Sequence, residues 1–198
     1  MKLSFTMGHS KSKLTLCTDE LDFLERNTSL DRAEIKRWYK EFQRTCPSER
    51  LGRDQFLALY DKFNLNVNTK EYCEHVFRTF DRDKNNTIEF SEFLLAINVM
   101  GNGTVEEKLM WSFKMFDIDD NGSIDRNEMK KIIKSIYGML GPNASSMIDI
   151  SPETKAMGIF DRLDRNKNDK ITRQEFVQGC LKDEELKSLL TLNAMNVR

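Results

Sequence analysis

The sequence predicts an all-α protein: four helix-loop-helix units arranged as two pairs, with additional N-terminal and C-terminal helices. Three observations carry that expectation. A twelve-residue acidic stretch, Asp117 to Glu128, recurs 36 residues upstream as Asp81 to Glu92 and 47 residues downstream as Asp164 to Glu175. Segments with the apolar spacing of amphipathic helices flank it, such as EEKLMWSFKMF before Asp117 and MKKIIKSIYGML from Met129. Each copy carries an apolar residue at its eighth position (Ile88, Ile124, Ile171), where paired loops meet as a short two-stranded ladder. A fourth, degraded copy, Arg44 to Gln55, keeps Leu51 there, so four units make two pairs.

In chain order, residues 1–14 form a basic segment, with Lys2, Lys11 and Lys13 and no acid among the first thirteen residues. Met1 to Met7 is too short for a secretory apolar core. Residues 15–101 hold the first pair. Asp31 and Glu34 form a capping box ahead of IKRWYKEF, the helix that enters the first loop. QFLALYDKFN leaves that loop, Thr69 to Phe80 enters the second, and FSEFLLAINVM leaves it. Gly101-Asn102-Gly103 reads as a flexible break between halves with residues at φ > 0. Residues 102–198 hold the second pair, opened by a capping box of Thr104 and Glu107. Tyr137 to Ala156 reads as one long polar linker, and beyond Phe176 the chain continues as a long C-terminal helix.

The whole-chain numbers agree with a soluble, cytoplasmic helical protein. A third of the 198 residues are charged, the net charge is −1, and only 3 are proline. No apolar run has the length of a membrane span. Cys17, Cys46, Cys73 and Cys180 are scattered, with no C-x-x-C pair, and read as reduced thiols. His9 and His75 stand apart from any cysteine, and no phosphate-binding loop is present. No catalytic constellation exists here, so no enzymatic activity is expected, nor a nucleic-acid partner.

The repeated stretch has the residues of an EF-hand calcium loop. Calcium takes six to eight oxygens, so side chains at positions 1, 3, 5 and 12 and the carbonyl at position 7 must converge within one short loop. In the third loop these are Asp117, Asp119, Asn121, Ser123 and Glu128, with Asp125 at position 9 and Gly122 at the sharp turn. The second loop offers Asp81, Asp83, Asn85, Thr87, Glu89 and Glu92, with Asn86 at the turn for a small penalty. In the fourth, Asp164, Asn166, Asn168, the Lys170 carbonyl and Glu175 are the donors; two carboxylates replace four, and the lysine weakens the attraction. The first loop cannot bind, because Arg44 stands at position 1, Cys46-Pro47 distorts the middle and Gln55 cannot close with two oxygens. Two to three calcium ions are expected, with magnesium a candidate occupant at rest.

The disabled loop around Cys46-Pro47, the runs WYKEF (Trp38 to Phe42), IEFSEFLLAI (Ile88 to Ile97) and EEKLMWSFKMFDIDDNG (Glu106 to Gly122), and the long C-terminal helix resemble the neuronal calcium sensor family, its frequenin branch most closely. The resemblance implies a sensor that exposes an apolar groove on binding calcium and regulates a membrane-associated target: a kinase, cyclase, receptor or channel. Trp38, Phe56, Tyr60, Phe63, Phe93 and Ile97 match the groove positions, and Leu186 to Val197 is expected to compete for that surface. It also implies N-terminal myristoylation with reversible membrane association. Met7-Gly8 followed by Ser12 fits the acceptor pattern, yet six residues precede Met7, so acylation of Gly8 requires translation to begin at Met7. The alternatives are a cytosolic calcium buffer, which would not need the C-terminal helix, and a regulatory phosphatase subunit.

Overall fold

The computed structural model describes residues 16–61, 69–140 and 150–192. Gly8, Phe63 and Met195 lie outside them, as do the N-terminal lysines. Of Tyr60 the backbone alone is described, within a helix.

Two helices precede the first loop: α1 (Thr18–Asn27) and α2 (Arg32–Thr45). Asp31 starts α2 as expected, its carboxylate accepting from the Glu34 N–H at 2.8 Å while Glu34 accepts from the Asp31 N–H at 3.1 Å. That reciprocal cap satisfies two donors the first turn would otherwise leave bare. The rest of the first half is β1 (Arg50–Gly52), α3 (Arg53–Asp61), α4 (Thr69–Phe80), β2 (Thr87–Glu89) and α5 (Phe90–Asn102). β1 and β2 pair antiparallel with Leu51 opposite Ile88, so the apolar eighth positions meet in the core.

The second half repeats the plan. It runs α6 (Val105–Phe116), β3 (Ser123–Ile124), α7 (Arg126–Leu140), α8 (Pro152–Leu163), β4 (Ile171–Thr172), α9 (Arg173–Lys182) and α10 (Glu184–Leu192). Ile124 faces Ile171 across the β3–β4 ladder. Helix α6 is the axis of the molecule. It packs on α4 and α5 of the first half and on α7, α9 and α10 of its own. Leu109, Trp111, Phe113, Met115 and Phe116 are buried along it. One apolar core therefore runs through both halves.

Three expectations are corrected. The Gly101–Gly103 break is not a φ > 0 turn: α5 continues through Asn102, and Gly103 sits at φ −63 as its cap. Gly103 is needed for space, since a Cβ there would lie 2.4 Å from the Val99 carbonyl oxygen. The polar linker is shorter than Tyr137 to Ala156, because α7 continues to Leu140 and α8 begins at Pro152. Burial of Tyr137 and Met139 outweighs the local composition. The C-terminal helix is two helices, broken at Asp183, whose carboxylate accepts from the Leu186 N–H at 3.1 Å.

Candidate metal centres

Loops two, three and four share one internal scheme of hydrogen bonds that gathers their oxygens. The position-1 carboxylate accepts from the N–H groups of positions 5 and 6. Asp81 takes those of Asn85 and Asn86 at 3.0 and 2.9 Å, and Asp117 those of Asn121 and Gly122 at 3.0 Å each. Asp164 takes those of Asn168 and Asp169 at 3.2 and 3.0 Å. Position 3 (Asp83, Asp119, Asn166) also accepts from position 5, at 3.1, 3.1 and 3.0 Å. Position 5 then accepts from the N–H of position 7, which is Thr87 at 2.8 Å, Ser123 at 2.9 Å and Lys170 at 3.0 Å. These are side-chain turns that fix the loop backbone from its own sequence.

The position-12 glutamate closes each loop from the other side. One Glu92 oxygen accepts from the N–H groups of Arg82 (2.8 Å) and Asp83 (3.3 Å), and the other from Glu89 (3.1 Å). Glu128 repeats this with Ile118 (2.8 Å), Asp119 (3.2 Å) and Asp125 (2.9 Å). Oxygens of Asp81, Asp83 and Glu92 all lie within 4.8 Å of one another, and so do those of Asp117, Asp119 and Glu128. Burial raises the pKa of Asp81, Glu92 and Asp117 against the pull of these backbone donors, and neighbouring aspartates add repulsion. Crowded oxygens with no nitrogen or sulfur among them fit a hard cation of calcium's kind. In loop four burial also pushes Glu175 up, but hydrogen bonds from Thr172, Asn166 and Arg165 outweigh it and the net shift is downward. With two carboxylates, that loop carries less of the unneutralised charge that draws a cation.

The non-glycine turns are held by residues the sequence reading missed. Asn86 and Asp169 sit at φ 64 and 60, in the left-handed region that favours glycine. Arg53 donates to the Asn86 side chain at 2.9 Å and to Glu74 at 3.1 Å, and lies over the Phe77 ring. Arg126 does the same one pair later, donating to Asp169 and Asp161 at 2.9 Å each and lying over Phe160. Both arginines occupy position 10 of the odd-numbered loop and grip position 6 of its partner, which was the available sequence signal. A side chain at position 6, which glycine lacks, is what the arginine holds. Arg53→Ala should therefore lower loop-two calcium affinity about threefold to fivefold, roughly 0.6–1 kcal/mol for an exposed charge-assisted bond. In an Asn86→Gly background the same change should have little effect, and calorimetry on the four-member cycle measures the coupling. Additive effects would show that the arginine does not act through Asn86.

The first loop keeps the turn at position 6 but not the left-handed φ that Lys84, Asp120 and Lys167 adopt at position 4, where it has Pro47. Glu49 stands at its turn with φ 59, and its carboxylate accepts from the Tyr39 hydroxyl and the Gln43 amide at 2.8 Å each. Gln55 accepts from the Gly52 N–H at 3.2 Å, preserving the inward reach of a position-12 residue. Loops two and three also touch each other, through Lys84 and Asp120 at 2.8 Å. Arg78, three residues before Asp81, donates to carbonyls at the end of α6 and the start of loop three.

Among the groove candidates, Trp38 and Phe93 meet with ring centroids 6.3 Å apart, and Phe42 lies 5.3 Å from Phe93. Trp38 is 38% exposed, while Phe93 and Ile97 are half-buried. Phe56 lies beneath them in the core, edge-on to Phe77 and Phe80. The described part of the C-terminal segment, up to Leu192, packs elsewhere. Leu186 and Leu190 of α10 are buried against α6 and α9, and the Ser112 hydroxyl donates to the Leu190 carbonyl at 3.0 Å. Up to Leu192 the segment turns back at Asp183 onto its own half, and the rest of the stretch expected to compete, 193–197, lies outside the described residues.

Residues 47–99 and 106–181 each match a family model for an EF-hand domain pair. Human recoverin is 33% identical over 195 residues, spanning 97% of both chains. Neuronal calcium sensor 1 of Lymnaea stagnalis is 37% identical over 187 residues, 94% of this chain and 97% of its own. Guanylyl cyclase-activating protein 1 of Lithobates pipiens is 37% identical over 162 residues, 82% of this chain and 77% of its own.

Proposed function

We propose a function from one premise: the chain belongs to the neuronal calcium sensor family of EF-hand proteins. It is a calcium sensor that regulates other proteins, not an enzyme. The finer reading is that Asp81, Asp83, Asn85, Thr87 and Glu92 hold one ion and Asp117, Asp119, Asn121, Ser123 and Glu128 a second. Asp164, Asn166, Asn168, Lys170 and Glu175 hold a third more weakly. Calcium, when bound, would supply the positive charge that offsets the repulsion among the crowded carboxylates. The chain's own part is to convert loop closure into movement, because each position-12 glutamate lies on the first turn of an exiting helix. Loading of the loops opens the helix pairs and uncovers the apolar groove for a target helix.

The observation that supports this reading most is the pairing of Trp38 with Phe93 on the surface of the first half. The corresponding trough of the second half is filled by α10, so the first half presents the open surface among the described residues. A buffer would need neither feature. Phe93→Ala should weaken calcium-dependent binding of an amphipathic Leu/Lys helical peptide at least about tenfold, from loss of an aromatic worth about 1.5–3 kcal/mol. Calcium affinity should stay within about twofold, and full peptide affinity in the variant would refute the groove. Membrane attachment in this reading rests on an acylated Gly8, which the mass of the native N-terminus tests.

A further inference from the structure

On the other side of α5 from Phe93 and Ile97, a cleft of about 510 Å³ opens between the two halves of the molecule. It is walled by Phe80, Leu95, Val99 and Trp111, with Phe80 and Trp111 edge-to-face at 5.6 Å. Phe23 and Met110 stand at its margin, 43% and 42% exposed. Three cations from three separate elements also line it: Arg82 of loop two, Lys114 of α6 and Arg173 of α9. None of them forms an ion pair with a carboxylate among the described residues. Two carboxylates, Glu92 and Glu107, share the lining, so the cleft carries a net positive charge of one. Both turn their oxygens to backbone donors rather than to the three cations. Asp120 is held by Lys84, Glu92 closes loop two, and Glu107 caps α6 through Thr104. The Lys114 pKa is lowered, first by desolvation against the wall and then by repulsion from Arg82 and Arg173.

We propose that this cleft binds a single-chain anionic amphiphile, its head held by Arg82, Lys114 and Arg173 and its alkyl tail laid along Leu95, Val99 and Trp111. An excess of positive charge over an apolar wall is a pairing that neither a neutral hydrophobe nor a bare inorganic anion satisfies. The volume is that of a site for one drug-sized ligand. A carboxylate or a phosphate monoester would each satisfy the three cations, and arginine takes either with two parallel bonds. The site is also tied to the calcium loops. Arg82 is position 2 of loop two, Lys114 lies three residues before Asp117, and Arg173 is position 10 of loop four. Occupancy and calcium loading must then influence each other reciprocally.

Trp111 is the built-in reporter. In a Trp38→Phe chain it is the remaining tryptophan, since the protein has two. Its emission is followed during titration with oleate, lysophosphatidate and oleyl alcohol below their aggregation thresholds, with and without calcium. The proposal expects saturable one-site binding of an anionic probe, at least tenfold tighter than the alcohol, with an affinity that shifts at least threefold with calcium. Binding of oleate alone assigns a carboxylate head, and of lysophosphatidate alone a phosphate head. Lys114→Gln and, separately, Arg173→Gln should each weaken the anion at least fivefold with the calcium isotherm of loop three preserved. Non-saturating partition, equal affinity for the alcohol, calcium-independent affinity, or unchanged affinity in both charge variants overturns it.

Discussion

Calorimetry on Glu128→Gln should show loss of one tight calcium site, with affinity at loop three reduced by more than about tenfold, or about 1.4 kcal/mol. The reason is more than one missing charge. Both Glu128 oxygens accept from backbone N–H groups, one from Ile118 and Asp119 and the other from Asp125. A glutamine amide presents one oxygen and one NH2, so one side of the loop would set a donor against a donor. Glu128 is 6% exposed, and little water can reach in to relieve that conflict. Glu92→Gln should act alike on loop two, where Arg82, Asp83 and Glu89 are the donors. Gln55 is the internal control: its amide oxygen takes the Gly52 N–H, and Gln55→Ala should leave the number of calcium sites unchanged. Retention of wild-type affinity in either glutamate variant would remove the ligand assignment for that loop.

Much of this arrangement was legible in the sequence because it is local. A twelve-residue loop whose carboxylates accept from N–H groups two to ten residues away is written in one short stretch. So are the capping boxes at Asp31 and Thr104, whose geometry needs only residues three apart. The eighth-position pairing of Leu51 with Ile88 was legible for a different reason, since repeat arithmetic fixes the register. What escaped the reading is non-local or depends on space. Glycine at 103 reads in sequence as a backbone hinge, whereas close approach to Val99 requires it. Tyr137 to Leu140 looked like linker because composition does not reveal that Tyr137 and Met139 are buried. The path of α10 depends on the cap at Asp183 and on the apolar face of α6, neither of which the spacing of Leu186 and Leu190 discloses. The clamps by Arg53 and Arg126 join residues 33 and 43 apart.

Arg78 is the strongest of these long-range contacts, and Arg78→Ala should destabilise the calcium-free protein by about 2–4 kcal/mol. Its guanidinium donates to the carbonyls of Met115 (2.6 Å), Asp117 (2.7 Å), Ile118 (3.0 Å) and Lys114 (3.3 Å). Carbonyls at a helix C-terminus lack intrahelical partners, and a cation there also opposes the helix dipole. One side chain from the first half thus caps α6, the helix that enters loop three. Charge-assisted bonds of this kind are worth about 1.5–3 kcal/mol each, but partial hydration of the freed carbonyls returns some of that. Desolvation lowers the Arg78 pKa, and the acids Asp117, Asp120, Glu128 and Asp119 work against that shift. Arg78 and a calcium ion therefore face the same carboxylates, so deleting the cation both loosens the loop and strengthens its field. At half-exposed distances the field term is about 0.5 kcal/mol or less, so loop-three affinity should change less than about threefold while stability falls. Denaturant unfolding in EDTA measures the first quantity and calorimetry the second. Arg78→Lys should recover no more than about half the stability, because one ammonium cannot span four carbonyls set in a fork. A loss under about 0.5 kcal/mol in Arg78→Ala, or full recovery with lysine, would mean that the Arg78 fork adds little to the apolar core around α6 and the Lys84–Asp120 pair in holding the two halves together.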